Sequence, residues 1–347
     1  MKKKVIVTGV TGQDGSHMVD YLLKETDHDI FGGIRRLSVP NHRNISHITS
    51  SRFKLINLDL TDQHSIQSAI INHKPNYFIN FAAQSFVGVS WDFPGQTFST
   101  NANSVLHILE GIKNHKPDCR FYNAGTSEEF GNVDYSPQDS KHPMKPRSPY
   151  GASKCAARFL IKVYRESFDL FATQCWLFNH EGTRRGIEFV TRKISDGIAK
   201  IHFSLERGET PKAIVLGNID SERDWMDAED AVRVIWQILN GDKPREYVIG
   251  TGETNSIRKF IEIGMRTINI SGRWEGSGLD ERYIYNGNEL VMISEKFFRP
   301  AEVDQLKADV TDAVRELNWK PEITFEQLVE KMVQNDIKLS KAENHCV

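Results

Sequence analysis

The chain has 347 residues, of which 39% are hydrophobic and 26% charged, a composition expected of a globular protein with one large α/β unit or two joined domains. Its formal net charge of −2 provides no basic field, so we expect no nucleic acid partner. No apolar run approaches membrane-spanning length, and the basic start leads directly into a short strand, so we expect no membrane association.

The first half of the chain alternates predicted strands with predicted helices. In the first predicted helix, Met18, Val19, Leu22 and Leu23 recur at helical spacing. This alternation predicts parallel βαβ units and a doubly wound (Rossmann) sheet, which binds its ligand at the carboxyl ends of the strands. The predicted strands are 3–9, 28–36, 53–62, 75–83 and 119–127, and the predicted helices are 16–25, 64–74 and 97–116.

After about residue 179 the regular alternation of strands and helices ends. Residues 189–218 combine an amphipathic helix, a polar loop and a strand, and 228–241 form another helix. A last helix, 325–339, precedes a polar tail that we expect to fray. The α/β fold is therefore predicted to have two domains. Their predicted boundaries are 1–178 for the nucleotide-binding domain, with 214–240 returning to it, and 179–213 plus 241–347 for a smaller C-terminal substrate-binding domain.

A glycine-rich loop follows the first predicted strand. Its glycines lie three residues apart, where glycine permits a tight turn, close approach of a pyrophosphate and close packing of helix on strand. The helix that begins near Ser16 directs its first N–H groups and its positive dipole end toward the same place. Lying between a strand and a helix, the loop predicts a dinucleotide site. Its predicted cofactor-binding residues are Gly9, Thr11, Gly12, Gln13, Asp14 and Gly15.

The ends of the next three strands indicate how the dinucleotide is held. The second strand ends in Arg35 and Arg36 without an acid, which favours the 2′-phosphate of NADP over NAD, with a solvated basic turn as the alternative. The third strand end is where folds of this type contact adenine. Small residues at the end of the fourth strand are predicted to let the backbone approach the cofactor. The alternative is that they serve only helix packing. The residues predicted to bind at these two ends are Asp59, Leu60, Ala82, Ala83 and Gln84.

The stretch 124–154 concentrates groups suited to proton transfer. Tyr150 and Lys154 are four residues apart, which brings both side chains to one face of a helix. A lysine ammonium next to a phenol favours the phenolate and lowers the pKa of the tyrosine, and lysine also holds a nicotinamide ribose. Thr126 is predicted to hydrogen-bond a substrate hydroxyl beside Tyr150. After the fifth strand of a dinucleotide fold, the Tyr-x-x-x-Lys pair resembles the signature of the short-chain dehydrogenase/reductases.

A carboxylate in the same stretch adds a further reaction. Glu128 follows Thr126 by two residues, where it is predicted to remove a proton alpha to a newly formed ketone. Oxidation of a sugar at C4 makes the C5 proton acidic, so that C5-H and the C6 hydroxyl leave as water and hydride returns to C6. The alternative is that Glu128 only stabilises a helix N-terminus. Glu129 fits that structural role better and is expected to lie at the surface.

The four cysteines carry no metal-site spacing. Cys119, Cys155, Cys175 and Cys346 are scattered, and the twelve histidines contain no HExxH. Buried reduced thiols, a reducing cytoplasm and no metal are therefore expected.

Together these segments resemble the GDP-mannose 4,6-dehydratases, which are extended short-chain dehydrogenase/reductases. The resemblance covers nearly the whole chain and includes "GVTGQDGS", "FAAQSFVGVSW", "TSEEFG", "SPYGASK", "NHEGTRRGIEFVTRK", "LGNIDSERDW" and "FRPAEVDQLKAD". It implies a tightly bound NADP regenerated in each turnover, and a homotetramer, or at least a dimer, in which Arg184 and Arg185 reach a neighbouring subunit's cofactor site. Thr126, Glu128, Tyr150 and Lys154 match the catalytic set. The implied GDP-sugar-binding residues are Ser85, Glu128, Asn179, Val190, Lys193, Gly217, Arg223, Arg299 and Glu302.

Several positions depart from the family pattern and leave the sugar open. GDP-D-glycero-D-manno-heptose, with one more carbon beyond C6, is an alternative to GDP-mannose. A 4-epimerase or reductase of the same superfamily needs no Glu128, and a non-catalytic NADP sensor needs neither Tyr150 nor Lys154, so both are weaker alternatives. The departures are Gly182 and Thr183 where the family usually has Ser-Pro, Met226 and Asp227 where it has Gly-His, and Glu129 and Phe130 where it has Leu-Tyr or Met-Tyr.

Overall fold

The computed structural model describes residues 2–297 and 305–344. The strands are β1 (Lys4–Thr8), β2 (Asp29–Ile34), β3 (Phe53–Asn57), β4 (Tyr77–Asn80), β5 (Arg120–Ala124), β6 (Ala172–Leu177), β7 (Asn179–Glu181), β8 (Ile214–Leu216), β9 (Glu222–Arg223), β10 (Trp225–Asp227), β11 (Val248–Ile249), β12 (Asn255–Ser256), β13 (Arg273–Glu275), β14 (Arg282–Tyr285), β15 (Asn288–Ile293) and β16 (Gln305–Leu306). The helices are α1 (Gln13–Glu25), α2 (Gln63–His73), α3 (Pro94–Phe98), α4 (Ser104–His115), α5 (Pro149–Phe168), α6 (Val190–Glu206), α7 (Ala228–Leu239), α8 (Ile257–Thr267), α9 (Thr311–Leu317) and α10 (Phe325–Asn344).

A seven-stranded parallel sheet forms the centre of the fold. Its order is β11-β6-β5-β4-β1-β2-β3, which confirms the doubly wound sheet predicted from the sequence. Because helices cover both faces, its inner strands are apolar on both sides. Val5 and Val7 of β1 pack into the core with α1 and α7, whereas Ile6 between them packs with α2, α4 and α5 on the opposite face.

The helix predicted over 97–116 is interrupted by a π-helical turn. Ser99–Asn103 lies between α3 and α4 and is wound more loosely than its neighbours, and such turns are frequent at functional sites. At the other end of the chain, α10 continues to Asn344, so the described part of the expected frayed tail is helical.

A second, smaller layer has its own core. Helices α6, α8 and α10 pack against a four-stranded sheet of order β13-β14-β15-β8. The observed pairing differs from the predicted domain boundaries at two places. Strand β8 pairs with β15 rather than returning to the central sheet, and β11 joins the central sheet by pairing with β6. Helix α7 does pack on the central sheet. None of the helices within 2–297 and 305–344 is long and apolar enough to cross a membrane.

Candidate active site

A cleft of about 1320 Å³ opens at the carboxyl ends of the central strands. Every residue predicted from the sequence to bind the cofactor lines it, including Arg35, Arg36 and Arg185. The four predicted catalytic residues line it as well, together with Ser85 and Asn179. The topology therefore brings the glycine loop and the 124–154 stretch into one cavity, as expected for parallel strands whose carboxyl ends share an edge.

The glycine loop is shaped for a group without room for side chains. Gly9 has a φ of +70°, and a Cβ atom there would lie 2.8 Å from the amide nitrogen of Ala82. A Cβ atom on Gly15 would lie 2.2 Å from the carbonyl oxygen of Gly9. The N-cap of α1, Gly12, offers no side chain to the first turn, and Gln13, Asp14 and Gly15 of that turn line the cleft, where helix N-termini bind pyrophosphate. The residues present thus fit a dinucleotide.

An ion pair fixes the first turn of α1 beside this loop. Asp14 Oδ2 lies 2.8 Å from His180 Nε2 of β7, and Gln13 Nε2 donates to the carbonyl oxygen of His180 at 3.1 Å. Burial alone would raise the pKa of Asp14, but the charge and hydrogen bond of His180 outweigh it and lower that pKa. Burial opposes the charged form of His180, yet Asp14 raises its pKa.

The predicted catalytic residues meet at the end of β5. Tyr150 is hydrogen-bonded to Thr126, and Lys154 Nζ donates to the carbonyl oxygen of Ala124 at 2.7 Å. Lys154 Nζ lies 5.9 Å from the centre of the Tyr150 ring. Burial lowers the pKa of Lys154 to about 8. The lowered tyrosine pKa expected from the sequence is not found, because burial of the phenol raises the pKa of Tyr150 and Thr126 only partly offsets this.

The two glutamates of this turn occupy different environments. Glu128 is half-buried and lines the cleft, where a carboxylate can reach a bound substrate. Glu129 points away from the cleft into the protein and is fully buried, so the surface position expected for it is wrong. Its Oε2 accepts from Arg158 Nε at 2.5 Å. Arg158 lies 29 positions further along the chain, and this separation hid the pair from sequence reasoning.

The loop after β4 is held by a residue that the sequence did not single out. Asn101 of the π-helical turn accepts from the Gln84 amide N–H and donates to the Gln84 carbonyl oxygen, both at 2.9 Å. Its side chain also donates to Ser153 Oγ at 3.0 Å. Asn101 thereby links the loop to α5. The signal that could have identified Asn101 is the run of polar residues around it, which interrupts the apolar pattern of the helix predicted over 97–116.

Four of the predicted sugar-side residues lie outside the cleft. Val190 packs against the core of the smaller layer. Lys193 and Gly217 lie near Phe297. Lys193 Nζ is 3.7 Å from the centre of its ring, and a Cβ atom on Gly217 would lie 2.4 Å from its carbonyl oxygen. Arg223 is on β9 and donates to the carbonyl oxygen of Glu222. Arg299 and Glu302 lie outside the described residues.

Of the departures near the arginine pair and after β9, Thr183 lines the cleft, whereas Gly182, Met226 and Asp227 do not. A Cβ atom on Gly182 would meet Ala228, Gln13 and His17 beneath the phosphate loop, and Met226 is fully buried in the core. Arg184 and Arg185, implied to reach a neighbouring subunit, line the cleft of their own chain. Within the described part of the chain, no group of three or more His, Cys, Asp or Glu side chains is placed to hold a metal ion.

The chain is similar to known proteins in sequence and in fold. The family model described as GDP-mannose 4,6 dehydratase matches residues 6–332. The chain is 42% identical over 351 residues to GDP-mannose 4,6 dehydratase of Drosophila melanogaster, covering 98% of this chain and 87% of the relative. It is 38% identical over 367 residues to GDP-mannose 4,6-dehydratase of Vibrio cholerae, covering 100% and 96%. The solved structure of DesIV, a dTDP-glucose 4,6-dehydratase from Streptomyces venezuelae with NAD and TYD bound, shares the fold, with a TM-score of 0.81, 20% identity and 98% of each chain covered.

Proposed function

Because the chain belongs to the GDP-mannose 4,6-dehydratase family, we propose that it removes water from GDP-mannose to give the 4-keto-6-deoxy GDP-sugar. The observation that carries this proposal is the convergence of Thr126, Glu128, Tyr150 and Lys154 on the cleft that contains the glycine loop. A dehydratase requires all four, whereas a 4-epimerase or reductase does not use a carboxylate at the position of Glu128.

Each of these side chains has a defined task. Tyr150, hydrogen-bonded to Thr126, takes the proton from the C4 hydroxyl, and the nearby ammonium of Lys154 stabilises the resulting charge. An oxidised nicotinamide dinucleotide held by the glycine loop would supply the hydride acceptor for C4 and the hydride donor for C6, and its ring charge would favour the phenolate of Tyr150. Glu128 removes the C5 proton, acidified by the C4 ketone, and passes a proton to the departing C6 hydroxyl. The proton taken up by Tyr150 balances the one that C5 regains when C6 receives the hydride. The reaction is redox-neutral overall.

NADP is the dinucleotide that we propose for this site. The NAD in the DesIV structure supports a nicotinamide dinucleotide in this fold. Arg35 and Arg36 are exposed, line the cleft beyond β2 and form no ion pair with any other described residue. Two guanidinium groups in this place suit a 2′-phosphate, which accepts forked, charge-assisted hydrogen bonds. An acid would accept hydrogen bonds from the ribose hydroxyls of NAD, and neither arginine can do so.

Location and assembly remain as inferred from the sequence. Cys119, Cys155 and Cys175 are free and buried, which suits the reducing cytoplasm that we propose for the protein. We propose a homotetramer, or at least a dimer, with a GDP-sugar as the substrate. Sedimentation of the purified protein as a monomer would contradict this assembly.

The first test is to incubate the purified protein with GDP-mannose and, separately, with GDP-D-glycero-D-manno-heptose, following the mass of each. Loss of one water from GDP-mannose is expected. Loss only from the heptose would favour the heptose alternative, although neither Gly182 nor Met226 lines the cleft. The Glu128→Gln substitution should lower kcat about 10²- to 10⁴-fold and abolish exchange of the C5 proton with deuterated solvent. Dinucleotide binding should be retained, which separates a lost base from a misfolded variant.

A further inference from the structure

Glu129 is held by three groups at the base of the catalytic turn. Its Oε1 accepts from the Thr126 amide N–H at 2.9 Å and from Gln174 Nε2 at 3.0 Å. Arg158 donates to the other oxygen. Thr126 Oγ1 in return accepts from the Glu128 amide N–H at 3.2 Å. A change in the position of the Glu129 carboxylate would therefore be transmitted to Thr126 and Glu128 together.

A buried row of polar side chains supports this carboxylate from below. Thr8, Asn80, Asn123 and Gln174 occupy matching positions on the neighbouring strands β1, β4, β5 and β6. The row is hydrogen-bonded from strand to strand at 2.5, 2.7 and 2.6 Å. Because the row is buried and each bond constrains the next, it provides a rigid base. Its last member, Gln174, bonds both Glu129 and the carbonyl oxygen of Lys154.

The charge of Glu129 also acts on the groups around it. Burial lowers the pKa of Lys154, and the charges of two carboxylates raise it. The contribution of Glu129 is the larger, and that of Asp14 is the smaller. The charged groups around Tyr150 are Lys154, whose Nζ lies 5.9 Å from the ring centre, and Glu128, Glu129 and Arg185. Arg158, the counter-ion of Glu129, also binds Glu246, and Glu246 in turn binds Arg165.

We propose that Glu129 is a positioning residue, which fixes the turn bearing Thr126 and Glu128 through hydrogen bonds and keeps Lys154 cationic through its charge. The proposal rests on the catalytic roles proposed above for Thr126, Glu128, Tyr150 and Lys154. Glu129 does not line the cleft and acts only through these neighbours.

Two substitutions separate the hydrogen bond from the charge. Glu129→Gln keeps an oxygen for the Thr126 amide and removes the charge. Glu129→Asp keeps the charge and withdraws it from Thr126. Glu246→Gln is the matched control, because Glu246 shares Arg158 but bonds neither Thr126 nor Gln174.

The primary readout is the pH dependence of Lys154 labelling by a small amine-directed reagent in the cofactor-free protein, followed by mass spectrometry. Half-labelling is expected near pH 8 in the unaltered protein, about 1 pH unit lower in Glu129→Gln, and unchanged in Glu129→Asp and Glu246→Gln. An unshifted Glu129→Gln profile, or an equal shift in Glu246→Gln, would overturn the electrostatic role. Should Glu129→Gln fail to fold, a clear shift in Glu129→Asp would overturn it instead.

Kinetics test the hydrogen-bonding role. Glu129→Asp should lower kcat for water loss from GDP-mannose at least 10-fold with an unshifted pH profile, whereas Glu129→Gln should shift the profile toward lower pH. Unaltered kcat in Glu129→Asp would overturn the positioning of Thr126. If the unaltered protein does not dehydrate GDP-mannose, the proposed function fails, while the labelling result still decides the coupling between Glu129 and Lys154.

Discussion

The carboxylate of Asp14 lies 2.8 Å from the imidazole Nε2 of His180, although the two residues are 166 positions apart. The contact joins the first turn of α1 to β7, so it connects the glycine loop to the strand that leads toward the arginine pair. Because His180 lowers the pKa of Asp14 against the effect of burial, the pair is charged over a defined range of pH.

This pair should make stability depend on pH in a predictable way. The lowered pKa of Asp14 gives stability that is present above its ordinary value of 3.8 and is lost as the pH falls through the lowered value. The raised pKa of His180 gives stability that is complete below 6.5 and is lost as the pH rises through the raised value. Asp14→Asn should therefore cost about 2 kcal/mol near pH 5.5 and less at pH 9, measured by urea unfolding. Asp196→Asn, which removes only a pair with Lys200, should cost little at either pH, and an equal cost of Asp14→Asn at both would contradict the assignment.

Gly15 should be irreplaceable by alanine. The added Cβ would lie 2.2 Å from the Gly9 carbonyl oxygen, so the phosphate loop and α1 must move apart, at a cost of about 1–3 kcal/mol. Titration calorimetry should then detect no dinucleotide binding. The control is Gly95→Ala, where a Cβ atom meets nothing within 4 Å. Normal binding by Gly15→Ala would show that the loop does not hold the pyrophosphate.

Arg35 and Arg36 should decide between the two dinucleotides. Replacing both with alanine removes the charge-assisted hydrogen bonds to a 2′-phosphate, which are worth about 1.5–3 kcal/mol each. NADP binding should weaken at least 10-fold while NAD binding stays the same, as measured by calorimetry. Lys54→Ala removes an exposed cation from the adjacent strand β3 and should alter neither. Equal weakening of both dinucleotides would mean that the arginines do not read the 2′-phosphate.

The buried pair of Arg158 and Glu129 should show a strong asymmetry between single and double substitution. Arg158→Met leaves the Glu129 carboxylate buried without its counter-ion and should destabilise the protein by about 3–5 kcal/mol. Adding Glu129→Leu removes the stranded charge and should recover most of that loss. Chemical unfolding of both variants measures the difference. A double variant as unstable as Arg158→Met would mean that lost packing against Trp176, over which Arg158 lies at 3.5 Å, dominates.

The central sheet, the glycine loop and the order of the proposed catalytic residues follow from local sequence. Alternating strands and helices, three glycines at fixed spacing, and a tyrosine four residues before a lysine are all patterns within a few turns of chain. The parallel topology then placed every predicted cofactor residue in one cleft. The position of β8 in the smaller sheet was not foreseeable in the same way, because strand pairing depends on partners far along the chain.

Only the tertiary structure decided what Glu129 contacts and in which direction the pKa values of Tyr150 and Lys154 shift. A sequence gives the spacing of Thr126, Glu128 and Glu129 but not which glutamate faces the cleft. Glu129 is the one that faces inward, because Arg158 of α5 and Gln174 of β6 donate hydrogen bonds to its carboxylate. The pKa values of Tyr150 and Lys154 are set mainly by burial, and burial exists only once distant segments have packed around them. Local periodicity determined the elements and the chemistry available, while long-range packing determined which groups meet and in what charge state.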